Sequence, residues 1–192
     1  MLNAVHTTGK RHRNLILIGF MGTGKTSVGM RVARSLGFRF VDTDKLIAKE
    51  YGMPIPKIFE EFGEEHFRET ETRVLSRCAE SAGQVISTGG GIVNRDANIG
   101  ILQSSGYVIW LKAAPEVIYE RVKRNRSRPL LRTPDPLATI RELLAVRNER
   151  YERCAHLAIA TDHLTMEETC FGVTESAMLV FGDGTEPGGE SP

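Results

Sequence analysis

Gly19-Phe20-Met21-Gly22-Thr23-Gly24-Lys25-Thr26 is the stretch on which the reading of this chain turns. It satisfies G-x-x-x-x-G-K-[ST], a loop whose backbone N–H groups wrap a run of phosphates. At the ordinary frequency of glycine, four fixed positions of this kind arise by chance in only about one chain in a hundred of this length. The flanks agree. Leu15 to Ile18 reads as a buried strand leading in, and a helix is predicted from Gly24, so its N-terminus turns partial positive charge toward the phosphates. Gly22, Thr23, Gly24, Lys25, Thr26 and Ser27 are therefore the candidate nucleotide contacts, with Lys25 a point charge at the β- and γ-phosphates and the Thr26 hydroxyl a ligand for Mg²⁺.

Outward from this loop, short apolar runs alternate with longer amphipathic stretches, the pattern of β-α units on a parallel sheet covered on both faces. Five strands are predicted, at Asn14 to Ile18, Phe38 to Val41, Gln84 to Ser87, Tyr107 to Leu111 and Leu157 to Ala160, with helices following from Gly24, Asp44, Glu64, Arg95, Pro115, Leu137 and Thr165. The chain of 192 residues suits one α/β domain over 14–181, with an N-terminal extension at 1–13 and a flexible Gly/Pro-rich tail at 182–192. Arginines 124, 126, 128 and 132 mixed with prolines 129, 134 and 136 mark a surface loop at about 124–136, read as a mobile lid.

Composition narrows the function. With 25 Lys+Arg against 24 Asp+Glu, the net charge of +1 leaves no global field for a polyanion, so nucleic acid is not an expected partner. Cys78, Cys154 and Cys170 are odd in number and far apart, which indicates neither a disulfide framework nor a zinc site and fits a reducing cytoplasm. Lys10, Arg11 and Arg13 before the apolar run imitate a signal peptide, but Gly-Thr-Gly-Lys-Thr follows in place of a cleavage pattern, and no apolar run approaches a membrane span. The expectation is a soluble cytoplasmic protein with no membrane partner.

Val41-Asp42-Thr43-Asp44 ends a predicted strand with two carboxylates at the sheet edge where open α/β folds hold their ligands. One acid can orient a metal-bound water, which makes Asp42 the metal candidate beside Thr26, and the other, Asp44, can accept a proton from an acceptor hydroxyl. The competing reading is that they cap the helix beginning near Lys45. In Phe67-Arg68-Glu69-Thr70-Glu71, Arg68 and Glu71 stand three apart and can pair, holding a guanidinium ready for a bidentate contact or merely decorating a surface. Gly89-Gly90-Gly91 after the third strand allow a ligand to approach the backbone, or a sharp turn alone. Residues 120 to 153 hold ten Lys or Arg against five acids, and one arginine on a closing loop is useful when phosphoryl charge must be neutralised. No Asn-Lys-x-Asp guanine motif occurs.

Together the motifs resemble the shikimate kinase family. GFMGTGKT, the DTD of 42–44, the FRETE of 67–71, the TGGG of 88–91, the RPLL of 128–131 and the RNERY of 147–151 occur in that family's order and with similar spacing, from about Asn14 to about Asp162. The resemblance implies a P-loop NTPase fold of the nucleoside-monophosphate-kinase type and a monomeric enzyme that moves the γ-phosphoryl of ATP, with Mg²⁺, to the 3-hydroxyl of shikimate. It implies Asp44 at the ring hydroxyls, Arg68 and Arg147 at the acceptor's carboxylate, Gly89, Gly90 and Gly91 lining the same pocket, Arg128 at the transferring phosphate and Arg121 stacked on adenine. Lys25, Asp44 and Arg128 are then the catalytic set. Where the family commonly has Asn-Pro-Leu-Tyr, this chain has Asn148-Glu149-Arg150-Tyr151. The alternatives are another small-molecule kinase of the same fold, such as a gluconate-type enzyme, and a nucleotide-binding module without transfer activity.

Overall fold

Leu15, Ile16, Leu17 and Ile18 are all fully buried, as a strand covered on both faces requires, and they form the central strand of the sheet. The computed structural model describes residues 13–123 and 133–182. Among these, β1 (Leu15–Ile18), β2 (Arg39–Asp42), β3 (Gln84–Ser87), β4 (Tyr107–Lys112) and β5 (Leu157–Ala160) make one parallel sheet in the order β2-β3-β1-β4-β5. Its helices are α1 (Lys25–Leu36), α2 (Thr43–Tyr51), α3 (Ile55–Glu80), α4 (Asp96–Ser105), α5 (Pro115–Val122), α6 (Pro136–Cys154) and α7 (Met166–Phe181). The five-stranded parallel sheet is the one expected, in the P-loop NTPase arrangement. Register sets Leu17 beside Ser87 and Ser87 beside Asp42, so the carboxyl ends of β1, β3 and β2 open at one edge.

The period-two pleat divides the core. Leu15 and Leu17 pack with Val28, Val32, Val85, Ile109 and Val173 on the α1/α7 side, while Ile16 and Ile18 pack with Ile47, Leu75, Ile86, Leu102 and Tyr151 on the other. Helix ends follow local chemistry: Asp42 accepts from the Lys45 N–H at 3.1 Å, Asp135 from the Ala138 N–H at 2.9 Å, and Thr165 with Glu168 forms a full capping box.

Three expectations are corrected. The helix predicted from Glu64 starts nine residues earlier at Ile55 and runs through a break at Gly63, whose φ of 80° and ψ of 169° are not helical. Pro54 at its N-cap and a Pro in its first turn start it, while Gly63 reads as a boundary in the sequence. The second strand is Arg39–Asp42 and not Phe38 to Val41, because the Phe38 N–H is taken by the Ala33 carbonyl in closing α1. A short 3-10 turn, Ile92–Asn94, intervenes between the glycine run and α4, which starts at Asp96 and not Arg95. The predicted starts at Gln84, Tyr107, Pro115 and Leu157 match, and the remaining ones differ by a residue. Residues 1–12 of the extension, 124–132 of the predicted lid with Arg128, and 183–192 of the tail lie outside the described residues. No helix among the described residues is long and apolar enough to cross a membrane.

Candidate active site

The phosphate loop joins β1 to α1, and its lysine is drawn back across it. Lys25 is buried, its Nζ donating to the carbonyls of Gly19 at 2.7 Å and Phe20 at 2.8 Å, while the Thr23 hydroxyl donates to the Phe20 carbonyl at 2.9 Å. Gly24 caps α1 in the left-handed region at φ 95°, and no acidic residue occupies the first turn, so the positive end of the helix is not neutralised from within. Ser27 is exposed on that same first turn.

The end of β2 meets this loop. Thr26 Oγ1 donates to Asp42 Oδ2 at 2.9 Å and stands 3.5 Å from Ser87 Oγ, and the other Asp42 oxygen caps α2. The capping reading of Asp42 is thus borne out by one carboxylate oxygen, while the other meets the Thr26 hydroxyl. Two hydroxyls and a carboxylate form a hard oxygen donor set of the kind a magnesium ion takes when waters and phosphates complete its shell. No group of three or more His, Cys, Asp or Glu gathers among the described residues.

On the far side of the loop the glycine run forms a wall. A Cβ on Gly89 would lie 2.6 Å from Asp44 Oδ1 and 2.7 Å from Glu71 Oε1, so only glycine lets these two carboxylates meet across the backbone. Gly91 is pressed against the Arg68 guanidinium, and a Cβ on Gly90 would lie 3.2 Å from the Met21 amide nitrogen of the phosphate loop. The glycines thus serve close approach as well as a turn. Arg68 is held as its spacing allowed: Nη1 donates to Glu71 Oε2 at 2.9 Å, and Nε and Nη2 donate to Glu64 Oε1 at 3.2 and 3.1 Å. Its guanidinium carbon lies 5.3 Å from the Phe67 ring centre. Arg147, on α6 and buried, donates to the Gly90 carbonyl at 3.3 Å and lies over the Phe20 ring.

Two groups of this site escaped sequence reading. Glu71 figured there only as a partner for Arg68, yet it is 1% exposed, and its Oε1 has no hydrogen-bond partner among the described residues. Burial pushes its carboxyl up to about 7 against the pull of Arg68, and the Asp44 charge adds to the rise. Tyr151 is fully buried and donates to the Gly90 carbonyl at 2.5 Å. Helical spacing places it one turn past Arg147, and although it closes the RNERY stretch, the sequence assigns it no role of its own.

Arg121 is tied to Thr161, donating to its hydroxyl at 2.9 Å and its carbonyl at 2.5 Å, so its side chain bridges α5 to the end of β5. Lys25, Thr26 and Asp42 converge on one side of the loop, and Asp44, Glu71, Arg68, Arg147 and the glycine run on the other. One bay suits polyphosphate with a cation. The other, with two guanidiniums and an accepting carboxylate, suits a small anion that carries hydroxyls.

The profile of the family described as Shikimate kinase matches residues 21–177. A shikimate kinase from Thermodesulfovibrio yellowstonii is 48% identical over 81% of this chain and 90% of its own length. One from Caldanaerobacter subterraneus subsp. tengcongensis is 46% identical over 88% of this chain and 99% of its own. Among solved structures, the shikimate kinase from Acinetobacter baumannii in complex with shikimate superposes with a TM-score of 0.83 at 33% identity, covering 92% of this chain and 97% of that one.

Proposed function

Since the chain belongs to the shikimate kinase family and is an ATP-dependent phosphotransferase, we propose that its two bays hold ATP and shikimate and that the residues named above carry the transfer. The observation that supports this most is the glycine wall: Gly89 makes room for Asp44, Gly91 lies against Arg68, Arg147 donates to the Gly90 carbonyl, and a Cβ on Gly90 would lie 3.2 Å from the Met21 amide of the phosphate loop. In this reading the wall holds donor and acceptor close to one another, as transfer requires.

In this reading the loop amides and Lys25 hold the β- and γ-phosphates, and Thr26 and Asp42 are the residues that would hold a magnesium ion there. The cation, when bound, neutralises phosphate charge as it shifts toward the leaving ADP. Arg68 and Arg147 grip the acceptor carboxylate through their planar forks, fixing the ring so that its 3-hydroxyl faces the γ-phosphorus. Asp44 orients that hydroxyl and receives its proton as the O–P bond forms. A loose transition state asks little of the base until bond formation is advanced, so positioning is the larger part of Asp44's task. Arg121 is assigned to adenine, and Arg128, outside the described residues, to the transferring phosphoryl group on the strength of its RPLL motif. A monomeric cytoplasmic enzyme belongs to the same proposal, supported by family membership.

Coupled ADP release tests the reading. ADP should appear only when shikimate is added, gluconate should not replace it, and Lys25→Ala should abolish turnover while the circular dichroism spectrum stays native. ADP release driven by gluconate, or a folded Lys25→Ala protein with near-normal turnover, overturns it.

A further inference from the structure

The turn after β3 is unusual in how completely its carbonyls are engaged from behind. Gly89 and Gly91 accept from the Ile92 and Asn94 N–H groups at 3.3 and 2.9 Å, and Ile92 from the buried Asn98 side chain at 2.9 Å. Arg150 donates to the carbonyls of Val93 at 3.1 Å and Asn94 at 3.3 Å. Gly90 accepts twice, from Tyr151 at 2.5 Å and from Arg147 at 3.3 Å. Arg147, Arg150 and Tyr151 all lie on α6, so one helix face holds the carbonyls of Gly90, Val93 and Asn94.

The two bonds to Gly90 are unequal. The Tyr151 ring is stacked on Trp110 with centroids 5.6 Å apart, and its hydroxyl has the short contact, while Arg147 has the long one. Burial raises the Tyr151 phenol well above its ordinary range, so it remains a donor at any working pH. With that hydroxyl removed, the Gly90 carbonyl would be left to Arg147, whose nitrogens would be drawn from the bay to satisfy a buried acceptor.

We propose that Tyr151 is a positioning residue: by making the shorter bond to the Gly90 carbonyl it leaves Arg147 only one long hydrogen bond there, so that the rest of the guanidinium faces the acceptor carboxylate, with Arg150 holding the remainder of the same turn. The inference rests on the acceptor assignment above. It differs from a packing role because its effect is specific to one ligand and passes through Arg147.

Calorimetric titration of shikimate and of ATP into the full chain decides it. Tyr151→Phe should weaken shikimate binding by roughly three- to tenfold, the worth of one hydrogen bond, and leave ATP binding unchanged. In an Arg147→Ala background the same change should add less than twofold, since the residue it acts through is gone. Unchanged shikimate affinity, an equal loss for both ligands, or full additivity with Arg147→Ala overturns the proposal. If Tyr151→Phe does not fold, Arg150→Leu decides in its place: a selective loss of shikimate affinity upholds the positioning role of α6, and unchanged affinity ends it. The wild-type titration separates the two readings. Absence of shikimate binding there removes the acceptor assignment itself, whereas normal wild-type binding with an indifferent variant removes only the role of Tyr151.

Discussion

Glu71 is a carboxyl that burial holds above its ordinary range. Its pKa is raised from 4.5 to about 7 by burial, with Arg68 and Arg147 opposing the rise and Asp44 adding to it. Between those two values the folded chain holds a proton that the unfolded chain has released, so this group's contribution to stability is full below about pH 4.5 and is lost as pH rises through 7. The gap in unfolding free energy between wild type and Glu71→Gln should therefore fall by on the order of 3 kcal/mol from pH 4.5 to pH 7.5. Urea unfolding at the two pH values measures it, and a constant gap would show that the carboxyl is ionised throughout. Exposed Glu50, held low by hydrogen bonds from Arg77 and Arg73, has the opposite sign, which is why the difference between variants is the quantity to read. Lys25, Thr26 and Asp42 were legible as residues because their motif fixes both identity and spacing. Glu71 and Tyr151 were not, because a buried carboxylate and a buried phenol differ from ordinary helix residues only in what the fold places against them.

At the scale of elements, α3 shows the limit of reading by period. The stretch from Glu64 carries a clear apolar face, with Phe67, Val74, Leu75 and Cys78 all buried, but the turns from Ile55 to Phe62 were not assigned. Gly63 joins the two parts at φ 80° and ψ 169°, a region essentially reserved to glycine, with nothing within 4 Å of where a Cβ would stand. Space is open there, so the cost of a side chain is backbone strain alone. Gly63→Ala should lower unfolding free energy by roughly 1–3 kcal/mol, measured in urea. Stability equal to wild type would mean that the joint relaxes into a continuous helix. The element also explains the site, since Arg68 and Glu71 follow the joint by one and two turns and the first part of α3 supplies Phe59 beside the Arg68 guanidinium.

For the molecule as a whole, two ligand bays on either side of one loop should report on stability independently. Each ligand at a hundred times its dissociation constant adds about 2.7 kcal/mol to the folded state. Scanning calorimetry should then show separate upward shifts in Tm with ATP and with shikimate. Lys25→Ala is expected to lose the first and keep the second, and Arg68→Lys, whose ammonium lacks the planar fork, to keep the first and lose most of the second. Loss of both shifts in either variant would contradict two bays. The amino-acid sequence by itself determined the parallel α/β fold, the phosphate loop and the family, because short apolar runs and a glycine-rich motif act through local geometry and fixed spacing. Tertiary structure alone decided that Gly89 makes room for Asp44 and Glu71 together, that the two oxygens of Asp42 divide between a helix cap and Thr26, and that Tyr151 and Arg147 share one carbonyl. Those outcomes depend on segments 16 to 61 residues apart being brought within a few ångströms, and on a low-dielectric interior that makes each unmatched polar atom costly.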